Sequence, residues 1–361
     1  MIMLPRQPSS KLRGFRHRQG TTTPPPNWPD NEWHGPLLEV ENLDVEFHTP
    51  KSIVHAVNNL SYSLHKGETL AILGESGSGK SVSAQTVMGI LDSPPGFVTG
   101  GEIRYRGADL LRLTEEQQRQ VRGRKIAIIF QDSLTALNPV FCVGDQIAEM
   151  FRVHNNTPRA EAKKQAVQLM KRVRIPSAQQ RYNSYPHEFS GGMRQRVMIA
   201  IAIALAPEIL IADEPTTALD VTVQAQIMDL LMELQKETGM GLMLITHDLS
   251  VVAEIADTIH VMYGGRIVEK GTVMEVYQHP AHPYTKGLLG SIPRVEEHHG
   301  GKLIPIRGAP PDMSALPSGC AFHPRCPHTQ ARCLTEAPAL HAANGGRHSA
   351  CHYWREILHA K

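Results

Sequence analysis

Residues 68–81 read Glu-Thr-Leu-Ala-Ile-Leu-Gly-Glu-Ser-Gly-Ser-Gly-Lys-Ser, and this stretch decides the fold. It opens with a short apolar run typical of a buried strand, and residues 74–81 then match the pattern G-x-x-x-x-G-K-[ST]. Glycines in such a loop let backbone N–H groups turn inward toward phosphate oxygens, and the N-terminus of a following helix adds partial positive charge. The stretch therefore predicts a strand, a phosphate-binding loop and a helix from Gly79 to about Leu91.

The residues of this loop have separate predicted roles. We expect Lys80 to reach the β- and γ-phosphate oxygens and the Ser81 hydroxyl to bind Mg²⁺. A βα turn that is merely rich in Gly and Ser would explain the composition, but not the strand and the helix on its two sides. The further residues expected to contact the nucleotide are Gly74, Ser76, Gly77, Ser78, Gly79 and Val82.

A second apolar strand, at residues 209–214, ends in two neighbouring carboxylates, Asp213 and Glu214. Asp213 is placed to hold the Mg²⁺ shell, and Glu214 can polarise an attacking water as the general base. A strand end that faces solvent can also carry acids. The phosphate loop in the same chain favours the metal ligand and the base.

Apolar strands alternate with helical patterns on both sides of these motifs, which predicts a doubly wound parallel α/β core interrupted by a helical insertion. The predicted strands lie at 37–47, 56–64, 68–74, 102–105, 125–130, 208–213, 241–246 and 258–265. Besides the helix at 79–91, the predicted helices lie at 143–152, 157–173, 190–205 and 221–236, and one begins at Leu249.

Length and charge exclude several classes of protein. The 361 residues suggest about two domains, and 37 basic against 35 acidic side chains give no field that implies nucleic acid. The most apolar run, at 197–206, is shorter than the roughly 20 residues that a bilayer requires. Five cysteines do not resemble a secreted disulfide scaffold, and no apolar stretch of signal-peptide length follows the basic residues at 6–18. We therefore expect a cytosolic chain.

Further motifs follow the two nucleotide motifs in a fixed order. Gln131 follows a predicted strand, residues 189–196 read Phe-Ser-Gly-Gly-Met-Arg-Gln-Arg, residues 218–220 read Ala-Leu-Asp, and His247 follows the strand at 241–246. These resemble the Q-loop, the signature motif, the D-loop and the switch histidine of ABC transporter ATPases. Phe189 stands where leucine is usual in that family.

The resemblance implies a division of the chain and a fold. It implies a P-loop ATPase of the ABC type, with a RecA-like parallel sheet core at 37–131 and 206–278, an antiparallel β subdomain and an inserted helical subdomain at 132–205. A basic, proline-rich tail at 1–36 is expected to be disordered. Residues 279–361 would form a small Cys-rich C-terminal appendage.

The resemblance also implies roles for individual residues. Gln131 would contact Mg²⁺ or the attacking water, His247 the γ-phosphate, and Phe47 the adenine ring, while Asp220 belongs to the D-loop. A second anion site would face the γ-phosphate held by an opposing subunit, and its residues are Ser190, Gly191, Gly192 and Gln195. A core histidine, a core strand phenylalanine and an ordinary serine N-cap remain the alternatives for His247, Phe47 and Ser190.

The C-terminal residues narrow the resemblance to the ATPases of oligopeptide and dipeptide importers. The matching segments are His-Pro-Tyr-Thr-Lys at 282–286, Leu-Leu at 288–289 and Ser-Ile-Pro-Arg at 291–294. The subgroup carries a [4Fe–4S] cluster, here implied on Cys320, Cys326, Cys333 and Cys351. Their separations of 5, 6 and 17 residues are a weak metal signal alone, so zinc, free thiols and disulfides stay open.

The expected function is ATP hydrolysis that powers peptide import, with ATP-driven dimer closure and hydrolysis-driven opening. The implied cofactors are ATP and Mg²⁺ beside the cluster. The implied partners are a second ATPase subunit, homologous or identical, two transmembrane permease subunits and an external solute-binding protein, without nucleic acid. The chain would lie peripherally on the cytoplasmic face of the inner membrane. Alternatives are a nickel or small-solute importer, a soluble ABC ATPase acting on DNA or ribosomes, and a regulatory module that binds ATP without hydrolysis.

Overall fold

The computed structural model describes residues 33–291, 306–343 and 345–359. Most of the predicted tail, residues 292–294 of the C-terminal motif and residue 344 therefore lie outside the described residues. The strands are β1 (Leu38–His48), β2 (Ile53–Leu64), β3 (Thr69–Leu73), β4 (Gly96–Tyr105), β5 (Ala108–Asp109), β6 (Ile126–Ile129), β7 (Ile209–Asp213), β8 (Gly241–Thr246), β9 (Thr258–Tyr263), β10 (Arg266–Thr272), β11 (His341–Ala342) and β12 (His348–Ser349). The α-helices are α1 (Lys80–Val87), α2 (Glu115–Val121), α3 (Ser133–Ala136), α4 (Val143–Asn155), α5 (Arg159–Arg172), α6 (Ala178–Arg181), α7 (Gly191–Ile203), α8 (Val221–Thr238), α9 (Leu249–Ile255), α10 (Val273–Gln278), α11 (Pro283–Leu289), α12 (Ala331–Thr335) and α13 (Trp354–His359).

The strands form two sheets within the described ranges. One is antiparallel, with the order β2-β1-β4-β5, and the other has the order β11-β12-β10-β9-β3-β8-β7-β6. Strands β6, β7, β8, β3 and β9 pair in parallel in the larger sheet. Strands β3, β7 and β8 are buried along their whole length, which explains their continuous apolar sequences. The mixed α/β architecture expected from the sequence is present.

Helices α3 to α7 follow β6 and precede β7, as the predicted insertion requires. Alanine and large apolar side chains of α4, α5 and α7 join the hydrophobic core cluster that also includes β6 and β7. Helix α7 is buried nearly all round, with Val197, Ile199 and Ala200 fully buried. Its apolar run is explained by this position, and no helix among the described residues is long and apolar enough to cross a membrane.

The C-terminal residues extend the larger sheet. Strand β12 pairs antiparallel with β10, where Glu269 lies opposite Ser349, and β11 pairs with β12. Glu269 is fully buried, and its carboxylate accepts the backbone N–H groups of Ala281 (2.6 Å) and His282 (3.0 Å). Burial raises the pKa of Glu269 to about 7. The region after α10 is thus joined to the core by backbone pairing and by this carboxylate.

Candidate nucleotide-binding site

The phosphate loop connects the buried strand β3 to helix α1. Its backbone depends on glycine at Gly79, which has a φ of +98° and where a Cβ would collide with the carbonyl oxygen of Ala56. Gly77 also has positive φ, at +79°, and lies with Ser76 on the exposed side of the loop. The glycines therefore serve both backbone conformation and the close approach of β2.

Lys80 is held inside the loop by two carbonyl groups. Its Nζ atom donates to the carbonyl oxygens of Gly74 (2.7 Å) and Glu75 (3.0 Å), and the residue is 5% exposed. Burial lowers the pKa of Lys80, while the nearby carboxylates of Glu214, Asp213 and Glu75 act in the opposite direction. The ammonium group is thus fixed beside the loop, where phosphate oxygens would bind.

Two oxygen ligands suited to Mg²⁺ meet between α1 and β7. The Ser81 hydroxyl donates to Asp213 Oδ1 at 2.9 Å, and burial raises the pKa of the Asp213 carboxyl. Hydroxyl and carboxylate oxygens are the donors that Mg²⁺ prefers, and the nearby Ser78 hydroxyl is buried without a hydrogen-bond partner among the described residues. Both observations fit a site for a metal-bound phosphate group.

Glu214 lies directly after β7, at the carboxyl ends of the parallel strands. Its Oε2 accepts from Gln131 Nε2 (2.8 Å) and from the Thr217 hydroxyl (2.9 Å), while Oε1 lies 3.5 Å from His247 Nδ1. Glu214 has a φ of +46° and its N–H donates to Ile245 of the neighbouring strand, which fixes the turn. Residues predicted from three separate motifs are thereby brought together. Thr217 was missed because a lone threonine in a loop carries no signal.

The signature residues lie on helix α7 and face α8. The Ser190 hydroxyl accepts from the N–H of Met193 (3.3 Å), so it caps the helix, and a Cβ at Gly192 would lie 2.5 Å from Val223 Cγ1. Asp220 caps α8 by accepting from the N–H of Val223 at 2.9 Å. Gln195 is 3% exposed, and its Nε2 has no partner among the described residues. Ser190 accepts hydrogen bonds from the first turn of α7, and its predicted contact with an opposing subunit stays a prediction.

Phe47 and Val82 are both partly buried against the core cluster of the antiparallel sheet. Phe47 lies near the end of β1, opposite Gly96 of β4. Val82 lies in the first turn of α1, next to Ser81. Their predicted contacts with the nucleotide stay predictions.

Two side chains from the C-terminal region reach the phosphate loop, and the sequence did not point to either. The Tyr284 hydroxyl accepts the N–H of Glu75 at 2.9 Å, and Arg325 forms an ion pair with the Glu75 carboxylate. They stand 209 and 250 positions away from Glu75 in the chain. The sequence predicts no role in the site for the motif at 282–286. The structure shows that its Tyr284 contacts the backbone of the phosphate loop.

The four C-terminal cysteines line one small cavity together with Phe322. Burial raises the pKa of the thiols of Cys320, Cys326 and Cys351, the last to about 12, and the neighbouring thiols act in the same direction. Among the described residues no group of three or more His, Cys, Asp or Glu side chains has the geometry of a metal site. The cavity therefore brings the four thiols together, and burial favours the protonated form of Cys320, Cys326 and Cys351.

Comparisons with known proteins identify the family. Residues 57–217 match the family described as ABC transporter, and residues 268–333 match the oligopeptide/dipeptide transporter C-terminal region. A putative peptide import ATP-binding protein of Brucella abortus is 49% identical over 332 residues, which cover 89% of this chain and 98% of that protein. The chain belongs to the ABC transporter ATP-binding proteins.

Two further likenesses agree with this ABC assignment. The dipeptide transport ATP-binding protein DppD of Bacillus subtilis is 50% identical over 297 residues, or 82% of this chain and 88% of that protein. A dimeric structure of the ATP-binding cassette MJ0796 with ADP and Pi has a TM-score of 0.59 at 28% identity, and covers 65% of this chain and 98% of that chain. ATP and Mg²⁺ are thus the ligands expected at the loop and at Asp213. This ABC protein is an ATPase.

Proposed function

We propose that this ABC ATPase powers the import of dipeptides or oligopeptides. The observation that carries the proposal is the match of residues 268–333 to the C-terminal region of oligopeptide and dipeptide transporters. Relatives named as peptide import and dipeptide transport proteins, about half identical over most of the chain, support the same cargo. The proposed role is therefore transport work, with ATP as the source of energy.

In this proposal two ATPase subunits enclose the nucleotide. The N-terminus of α7, with Ser190, Gly191 and Gly192, supplies backbone N–H groups and a helix dipole that favour an anion. As the resemblance to ABC ATPases implies, the anion they bind would be the γ-phosphate held by an opposing subunit. The γ-phosphate would thus link the two subunits. Hydrolysis removes the γ-phosphate, and the dimer can then open. The related cassette with ADP and Pi is described as dimeric, which supports the arrangement.

The proposed membrane partners would contact the helical segment at 132–205. Large apolar side chains are exposed there, with Val140 71% exposed, Val153 64% and Phe141 57%. Apolar side chains grouped on one segment are typical of a protein contact. We place two transmembrane permease subunits on this surface, with the chain peripheral on the cytoplasmic face and a solute-binding protein outside. The second ATPase subunit would be homologous or identical to this chain.

Uptake of a labelled dipeptide, with labelled nickel in parallel, tests the proposal. Cells that lack the chain would receive wild type, Lys80→Ala or the matched control Lys66→Ala, whose lysine is exposed outside the loop. We expect peptide uptake with wild type and with the control, and none with Lys80→Ala. Rescue of nickel alone would replace the cargo. No difference for either solute would contradict the importer and favour a soluble ABC ATPase.

We also propose that the cysteines at 320, 326, 333 and 351 hold a [4Fe–4S] cluster. Their position around one cavity supports it, and thiols with raised pKa values would release their protons to solvent when they bind iron as thiolates. The cluster would supply a covalent cross-link to a segment with little core of its own. Since the thiols are not in ligating geometry, they would have to rearrange on binding.

Iron and sulfide analysis of anaerobically purified protein tests the cluster. We expect about four iron atoms per chain, lost on Cys333→Ser and retained on Cys142→Ser. Cys142 is the matched control because it lies at the start of α4, where its thiol contacts the carbonyl of Asn183. Stoichiometric zinc would replace the cluster with a zinc site, and the absence of both metals would contradict a metal centre.

A further inference from the structure

The ion pair between Arg325 and Glu75 joins the cysteine-bearing segment to the phosphate loop. Arg325 Nη1 lies 2.6 Å from Glu75 Oε2 and Nη2 lies 3.0 Å from Oε1, so the pair is bidentate. The Arg325 side chain is only 6% exposed, and that of Glu75 is 25% exposed. Removing one partner of a pair this well buried leaves an uncompensated charge, so it costs more than breaking a surface pair.

The guanidinium group has a complete set of acceptors. Besides Glu75, its N–H groups donate to the carbonyl oxygens of Arg307 (3.0 Å) and Gly308 (3.3 Å) and to the Tyr263 hydroxyl (3.4 Å). Its plane also lies near the rings of Tyr263 and Phe322. Arg325 therefore has one defined position, and the carboxylate of Glu75 is fixed with it.

Glu75 is also joined to the lysine of the phosphate loop. Its carbonyl oxygen accepts a hydrogen bond from Lys80 Nζ. Its carboxylate acts to raise the pKa of Lys80, against the larger effect of burial. An unpaired carboxylate at this position would attract the ammonium group and repel the phosphates of ATP. The bidentate pair with Arg325 neutralises that carboxylate and holds it on the side of Tyr263.

We propose that Arg325 is a positioning residue for ATP binding, which acts by neutralising Glu75 and keeping its carboxylate away from Lys80 and the phosphates. Arg325 lies one residue before Cys326, so the C-terminal segment must be docked for the loop to bind ATP tightly. The proposal rests on ATP as the ligand of the loop, and is independent of the transported cargo.

The test measures ATP·Mg²⁺ affinity, and the steady-state KM and kcat of ATP hydrolysis, on the purified full chain. We expect Arg325→Gln to raise Kd and KM about tenfold with kcat within about twofold of wild type, since the change affects ground-state binding. Adding Glu75→Gln to Arg325→Gln should restore most of the affinity, because it removes the unpaired charge. Loss of a residue that only supports the fold would lower the free energy of unfolding but leave the Kd and KM of the folded protein unchanged.

The matched control is Arg332→Gln. Arg332 lies one residue before Cys333 in the same segment, but its ion pair with Glu336 is over half exposed on both sides. We expect the control to bind ATP within about twofold of wild type. Arg325→Met, which keeps the packing on Tyr263 and Phe322, replaces Arg325→Gln if that variant does not fold.

Two results would overturn the proposal. One is an Arg325→Gln variant with the affinity of wild type, and the other is a double variant that binds ATP no better than Arg325→Gln alone. Failure of wild type itself to bind ATP would instead contradict the nucleotide site, so the two failures are distinguishable.

Discussion

At the scale of single residues, the Glu214 carboxylate is the proposed general base of the site. Gln131 and Thr217 donate to one of its oxygens, and His247 lies beside the other. A glutamine at this position keeps the shape and can still accept a hydrogen bond, but its amide cannot take a proton from water. The role of Glu214 as base can therefore be separated from its role in structure.

We expect Glu214→Gln to bind ATP and to accumulate as a dimer, with kcat lowered by roughly 10²- to 10⁴-fold, because general base catalysis is lost. Steady-state ATPase assays and gel filtration with ATP measure the two effects. Thr217→Val is the control, since it removes one hydrogen bond and keeps the carboxylate, and should lower kcat less than about tenfold. An unchanged ATPase rate in Glu214→Gln would refute the assignment.

Sequence motifs predict the candidate nucleotide ligands but not the residues that hold them in place. Lys80, Ser81 and Asp213 were predicted from short patterns, because phosphate and Mg²⁺ require those residue types next to a strand and a helix. Gln131 and His247 needed the family resemblance, since a single amide or imidazole after a strand has many other uses. Tyr284 and Arg325 escaped prediction because only the tertiary fold brings residues so distant in sequence to Glu75.

At the scale of helices and strands, the start of helix α11 depends on a buried histidine. His282 caps the helix, with Nδ1 accepting the N–H of Tyr284 at 3.1 Å, and it is 1% exposed. Burial lowers the pKa of His282 to about 3, below the ordinary value of 6.5. The cap therefore requires a neutral imidazole, and it also places Tyr284 against the phosphate loop.

We expect acid to destabilise the wild type through His282. Since the folded-state pKa lies below that of the unfolded chain, this contribution is present above pH 6.5 and is lost as the pH falls toward 3. One proton gives about 1.4 kcal/mol per pH unit, or about 2 kcal/mol between pH 6.5 and 5. Glu269, whose pKa is raised, has the opposite dependence, losing its contribution as the pH rises through about 7.

Comparison with His282→Asn isolates the effect, because asparagine can cap the helix without titrating. The difference in urea unfolding free energy between the two proteins should shift by about 2 kcal/mol in favour of the variant from pH 6.5 to 5. His279→Asn, at an exposed position, is the control. Parallel pH profiles for wild type and His282→Asn would contradict a buried neutral imidazole.

The elements that were predicted best are those whose burial is uniform. Strands β3, β7 and β8 are continuous apolar runs because both of their faces are covered, one by helices and the other by the antiparallel sheet and α1. Strand β10 was not predicted, since it carries the buried charge of Glu269 where a pattern expects an apolar side chain. Strands β11 and β12 have two residues each, and they form because β12 pairs with β10 and β11 pairs with β12. Helix α1 ends at Val87, earlier than the helical pattern suggested.

At the scale of the whole molecule, the C-terminal region and the nucleotide site form one unit. Strand β12 pairs with β10, Glu269 binds the start of α11, and Tyr284 and Arg325 both contact Glu75. If docking of this region strengthens ATP binding, ATP must stabilise the docked region by the same factor, because coupling between two equilibria is reciprocal. Hydrogen exchange at the C-terminal region should therefore slow when ATP is bound.

The pairing of β12 with β10 has a consequence for the chain while it is being made. Strand β10 is complete at Thr272, 76 residues before β12 begins at His348. At a synthesis rate of about 5–20 residues per second, the edge of β10 stays unpaired for roughly 4 to 15 seconds before β12 is made. An open edge is a template for association with other chains, and a charged residue in its middle opposes this. Glu269 thus opposes pairing of the nascent sheet with other chains. In the folded protein the same side chain is buried and accepts the N–H groups of Ala281 and His282.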